Sequence, residues 1–126
     1  IGRQPLITVD AADDVQVASR TLSLVSRIRP DNSVESINRQ IPLTDAGQAL
    51  FSILSTYVGT LNFSAIATDA SGNVSSPPAT ATLLVYDPSD NTAPIVQITS
   101  PADSTVVTEP VNIVGSAIDS VGVLSW

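Results

Sequence analysis

The 126-residue chain contains no cysteine, methionine or histidine, and no lysine either; all five basic residues are arginines, the last of them Arg39. Each absence removes a class of chemistry. Without cysteine there is no disulfide staple, a condition met in the cytosol and in bacterial secretion alike. Without imidazole or thiolate, zinc lacks its ordinary ligands and a serine nucleophile lacks its usual base. Without lysine there is no Lys–Asn isopeptide crosslink. Adjacent carboxylates such as Asp13 and Asp14 point apart on an extended chain, so they do not form an acid/base pair across a substrate. The expectation is therefore a protein that is not an enzyme.

Positive charge is scarce as well. The formal net charge is -7, and every charged residue after Arg39 is acidic. Such a surface repels phosphate backbones, so no nucleic-acid partner is expected. Long apolar runs are missing: "ATLLVY" (81–86) falls far short of the ~20 residues that span a bilayer, so no membrane insertion is expected. There is no initiating Met and no signal peptide, which reads as a processed product or an excised piece.

What is present is enough to fold. A 43% hydrophobic content over this length supports a real core. "LNFSAIAT" (61–68) and "ATATLLVY" (79–86) alternate apolar and polar residues as half-buried strands do. Between them "DASGNVSSPP" is dense in turn formers: Gly72 and Asn73 tolerate positive φ, and Pro77 and Pro78 cannot donate to a ladder. Further strands are expected at "LITVDA" (6–11), "SRTLSLVSRI" (19–28), "INRQIPL" (37–43), "IVQITS" (95–100), "TVV" (105–107) and "VNIVGSAI" (111–118). Short strands with frequent turn signals point to an all-β sandwich. One segment disagrees: "DAGQALFSILSTYVG" (45–59) has apolar residues at helical spacing, with Thr44 or Asp45 as N-cap and Gly59 as stop. Phe51, Ile53 and Ser55 could instead supply the inward face of a strand, and the expectation is a strand through about Leu54 and a helical turn before Gly59.

The chain also repeats itself. "AADDVQVAS" (11–19) returns as "AIDSVGVLS" (117–125), and Asp13 aligned with Asp119 gives an offset of 119 − 13 = 106. At that offset Ile7/Ile113, Ala11/Ala117, Val15/Val121, Val17/Val123 and Ser19/Ser125 are also identical. A period of this length is too long for a solenoid unit and fits a string of whole domains.

Residues 90–123, "DNTAPIVQITSPADSTVVTEPVNIVGSAIDSVGV", resemble the opening half of the bacterial immunoglobulin-like repeats found in tandem in large secreted and surface proteins. Residues 59–85, with their T-D-x-x-G-N turn, are similar to the closing half of such repeats. The resemblance implies an immunoglobulin-like β-sandwich cut out of phase. Residues 1–87 would be a repeat lacking its first strand, 88–94 a linker, and 95–126 the first part of the next repeat. In that phasing Leu6–Ala11 is a second strand, Ile95–Ser100 a first, Val111–Ile118 a second, and Gly122–Trp126 the start of a third. Trp126 would fill a core slot that Arg20 occupies in the first repeat. The implied partners are neighbouring repeats or identical chains that complete the partial sandwiches. The implied place is extracellular or on a bacterial cell surface.

Three acidic clusters are candidate calcium ligands, because hard cations take carboxylate and carbonyl oxygens from loops. They are Asp10, Asp13 and Asp14; Asp69 with Asn73; and Asp87, Asp90 and Asn91. The resemblance implies that the last set meets Asp119 at an interdomain joint, where related adhesin repeats are stiffened by calcium. The competing reading is that Asp and Asn are there to form turns. On function, the residues and the resemblance together imply a structural repeat of a stalk, adhesin or fibre. The alternative is a carbohydrate- or protein-binding module, against which stands an aromatic content of only 4%.

Overall fold

A computed structural model describes residues 4–119. The described chain is almost entirely β: β1 (Leu6–Thr8), β2 (Val17–Ile28), β3 (Val34–Ile41), β4 (Gln48–Leu50), a single 3-10 turn (Ser55–Tyr57), β5 (Gly59–Asp69), β6 (Ala79–Val85), β7 (Ile95–Ser100) and β8 (Val114–Ile118). All pairings are antiparallel. They make a four-stranded sheet in the order β3-β2-β5-β6 and two ribbons, β1-β4 and β7-β8.

The four-stranded sheet and the β1-β4 ribbon enclose one core. Alternation decides which residues enter it: Leu22 and Leu24 of β2, Leu61 and Phe63 of β5, Ile41 of β3, Val85 of β6 and Ala49 of β4 are buried, together with Phe51. Ile7, Val9, Ile37 and Leu83 pack against them from partly buried positions. Phe51 is the hub, stacked on Tyr57 at 5.8 Å and edge-on to Phe63 at 5.3 Å. The Arg39 guanidinium lies 5.8 Å from the centroids of both Phe51 and Tyr57, closing the core at its rim. Arg20 continues the inward row of Leu22 and Leu24 and bonds the Asp45 carbonyl at 3.5 Å across the two sheets.

The helical spacing of residues 45–59 yields to tertiary structure. Gly47 takes φ +75 in the turn that begins at Thr44, and a β-carbon there would sit 2.5 Å from the Val9 carbonyl oxygen. That turn sets β4 beside β1, and Ala49 and Phe51 then alternate into the core. The expected strand is shorter than foreseen, ending at Leu50, and Ser55 lies in the 3-10 turn instead of facing inward. Gly59 begins β5 with φ +122, where a β-carbon would meet the Ile28 carbonyl oxygen at 2.2 Å; only glycine fits that approach.

Other boundaries also move. β1 stops at Thr8, because β4 supplies partners only for Leu6 to Thr8. β3 starts earlier than expected, at Val34. Residues 105–107 form no strand: Thr105 N bonds the Ala102 carbonyl in a turn, and Val106 is 89% exposed. β8 begins at Val114, not Val111, since Ser100 is its last partner on β7 and Pro101 cannot extend a ladder. The expected third strand at Gly122–Trp126, and with it the slot for Trp126, lies outside the described residues.

Candidate functional site

The candidate ligands fall into two groups, one beside the β5–β6 loop and one on the segment joining β6 to β7. In the first group Ala70 N bonds the Gln16 carbonyl at 3.1 Å, so the loop after β1 and the β5–β6 loop lie side by side. Asp13 and Asp69 are therefore brought to neighbouring loops, but each is occupied locally. Asp13 Oδ2 accepts from the amides of Val15 and Gln16, both at 3.2 Å. Asp69 Oδ1 accepts from the amides of Ser71 and Asn73 at 2.8 Å, and its Oδ2 from Asn73 Nδ2 at 2.7 Å. The Asn73 donors hold the Asp69 carboxyl below its ordinary range. Asp10 and Asp14 are exposed on the neighbouring loop.

The second group lies on the segment joining β6 to β7. Asp87 Oδ1 accepts from the Ser89 amide at 3.0 Å and its hydroxyl at 2.7 Å. Asp90 Oδ1 accepts from the Thr92 amide at 3.1 Å and from the Thr92 hydroxyl. These donors lower the pKa of both carboxyls, hydroxyl first in each case; for Asp90 the negative charge of Asp87 works the other way. Asp119 also lowers the Asp90 pKa, which sets its side chain near Asp90 at the joint. Asn91 lines a polar cleft of about 520 Å³ with Asp87 and Asp90, and Arg27 shares that cleft.

Asp69 thus commits both carboxylate oxygens, and Asp13, Asp87 and Asp90 one each, to amides and hydroxyls of their own turns, the geometry of Asx turns. Among the described residues, no three acidic side chains converge on a point that could hold a metal ion. The donor set fits loop closure first. A cation at the joint would sit in a cleft that Arg27 also lines.

A feature with no acidic signature lies along the side of the sandwich. β1 pairs only with β4, through Leu6↔Leu50, Ile7↔Ala49 and Thr8↔Gln48. Because Val9 N bonds the Gly47 carbonyl and Phe51 N bonds the Pro5 carbonyl, the amides of Leu6 and Thr8 alternate to the other edge. No strand pairs with that edge among the described residues. Between it and β6 opens a groove of about 430 Å³ whose floor includes the core residues Leu22 and Phe63. Ala79 and Ala81 share the inward face of β6 with Leu83 and Val85, yet both are exposed. Sequence alternation marked these alanines as inward-facing; it carried no signal that their cover would be missing.

The class of protein is an antiparallel all-β sandwich with a second, two-stranded ribbon attached through an acidic joint. No protein-family model matches the chain, and no curated protein or solved structure matches it either.

Proposed function

We propose that this chain belongs to a tandem array of immunoglobulin-like repeats forming a structural element outside a bacterial cell: a stalk, adhesin or fibre. Residues 1–87 belong to one repeat, 88–94 are the linker and 95–126 open the next. One observation carries the reading: β1 and β8, which share the equivalent position Thr8/Val114 at the 106-residue offset, lie in different sheets, each with what the other lacks. β1 has a facing sheet and the β4 partner but an open outer edge. β8 has a strand on one edge, β7, and its apolar residues Val114 and Ile118 lie in the open. Placement outside the cell rests on the resemblance alone.

A binding module is the weaker reading. Phe51, Tyr57 and Phe63 are committed to the core, which leaves Tyr86, 63% exposed, as a lone aromatic on the described surface. Catalysis has no support in the residue types present. At the joint, the nearness of Asp87, Asp90 and Asp119 keeps calcium as a stiffening ligand within the proposal.

The test joins residues 1–106 head to tail in one, two and three copies. Small-angle scattering should then show a rod whose maximum dimension grows in equal steps. A particle that thickens without lengthening overturns the reading.

A further inference from the structure

The outward face of the four-stranded sheet is built from cross-strand rows. Asn62 lies between the core residues Leu61 and Phe63, and Leu84 beside the core residue Val85, so both point away from the core. Directly opposed residues share one face, so the register extends that assignment across the sheet. Val34, Ile28, Thr60 and Leu84 form one row over all four strands. Ser36, Ser26, Asn62 and Thr82 form the next. Gln40, Ser23, Ser64 and Thr80 follow, and Thr21↔Ile66 continues the face on the two central strands. None of these rows contains a charged residue, on a chain whose net charge is -7.

A β-bulge at Val25 brings this about. Between Leu24↔Phe63 and Ser26↔Asn62, β2 carries one residue more than β5. Strict alternation from the buried Leu24 would send Arg27 outward and Ile28 inward. With the extra residue, Arg27 falls opposite Leu61 and Glu35 on the inner side, its side chain only 14% exposed, and Ile28 joins the outer face. Taking a guanidinium off the surface and setting an isoleucine there works against solubility. It also completes an apolar stripe, in which Ile28 and the Thr60 methyl link Val34, 67% exposed, to Leu84, 52% exposed.

Charge decides what can cover such a face. Copies of an acidic chain repel wherever their carboxylates approach, and these rows carry none. Hydroxyls and side-chain amides both donate and accept, so a second face of the same composition complements the first. At the centre Asn62 Nδ2 donates to Ser26 Oγ at 3.0 Å, which fixes both side chains. With strands about 4.8 Å apart and a same-face repeat of about 6.8 Å, the rows cover roughly 500 Å² of sheet per copy. That is the low end for a specific interface and fits weak association.

We propose that this face is a self-association surface on which a second copy of the chain docks its own outer face. A twofold axis parallel to the strands, between β2 and β5, keeps every row in register. β3 then lies over β6 of the second copy and β2 over β5, with Val34 on the second copy's Leu84 and Ile28 on its Thr60. The two sheets pack aligned, their strands about 30° apart. Every row lies between Val17 and Val85, so the pairing needs neither the repeat phasing nor any further strand.

Sedimentation equilibrium of the full chain, up to about 1 mM protein and at low and high salt, tests the pairing. Wild type should form a weak dimer that tightens as salt screens the repulsion between copies. Val34→Lys or Leu84→Glu alone sets an unpaired charge in the interface and should weaken the dimer about tenfold or more. In the double variant each new ammonium meets the new carboxylate of the second copy, and dimerisation should return close to wild type. Within one copy the two positions are three strand spacings apart, about 14 Å, too far to pair with each other. Both are exposed on edge strands, so all variants should share the wild-type urea transition at high dilution. A wild type that stays monomeric throughout, or a double variant as weak as the single ones, overturns the proposal. Single variants that dimerise as wild type does place the contact on another surface and overturn it as well.

Discussion

Ile7 and Ile113 are the same residue at the same place in the repeated phrase, and they live in different surroundings. Ile7 lies on β1 and packs against a core that includes Phe51 and Phe63. Ile113 precedes β8 and is 75% exposed. The same contrast runs through the two regions they belong to. Residues 4–87 bury eight apolar side chains between two sheets, while Ile95, Val96, Ile98 and Ile118 of the β7-β8 ribbon all lie more than half exposed. Local sequence makes a strand in both places. Only a facing sheet turns a strand into a core element, because the apolar stabilisation comes from area removed from water.

The sharpest way to break that comparison is to delete one side chain from each region. Phe51→Ala empties the hub of the core and should lower unfolding free energy by about 3–5 kcal/mol in urea titration. Val96→Ala in the ribbon should leave the same transition within about 0.5 kcal/mol in dilute, monomeric conditions. Equal losses would mean that the ribbon is part of the same core.

The identical pair gives a finer test. Ile7→Ala removes a partly buried side chain and should cost about 1–2 kcal/mol by the same titration, whereas Ile113→Ala should be neutral within about 0.5 kcal/mol. In a chain extended until the second sandwich is whole, the repeat reading requires the two costs to converge.

The smallest effect is electrostatic. Asp69 closes the β5–β6 loop, and its pKa in the folded chain lies below the ordinary 3.8. A lowered carboxyl contributes stability that is present above the unfolded value and is lost as pH falls through the folded value. Sandwich stability should therefore be flat above about pH 5 and decline below pH 4, less steeply in Asp69→Asn. Asp87 and Asp90 shift in the same direction, but at the joint. Their protonation should alter the linker signals in carboxyl-detected NMR before the sandwich unfolds.

Much of the architecture was legible because the strands alternate cleanly. Leu61, Phe63, Leu83 and Val85 announce inward faces by period two, and the turn formers of residues 69–78 announce the return of the chain. Residues 45–59 were not legible in the same way. Their apolar spacing is helical while Phe51 and Ile53 also suit a strand; the expected strand and helical turn are both present, and the Gly47 turn and the pairing with β1 set the strand's short span. At the candidate sites, the expectation that Asp90 and Asp119 meet came from the resemblance to immunoglobulin-like repeats. That Asp69, Asp87 and Asp90 would each accept from adjacent amides and side-chain donors needed the loop conformations.

By itself the sequence determined that the chain is β-rich, where its loops lie, that it carries no thiol, imidazole or lysine amine, and that one phrase occurs twice. Those properties are set by residue identity and by short-range periodicity, which any single strand expresses alone. Tertiary structure decided which strands share a core, that β1 keeps an open edge above exposed alanines, and that β7 lies outside the sandwich. Those outcomes depend on pairings between residues far apart in the chain, whose gain in ladder hydrogen bonds and buried apolar area no local pattern encodes.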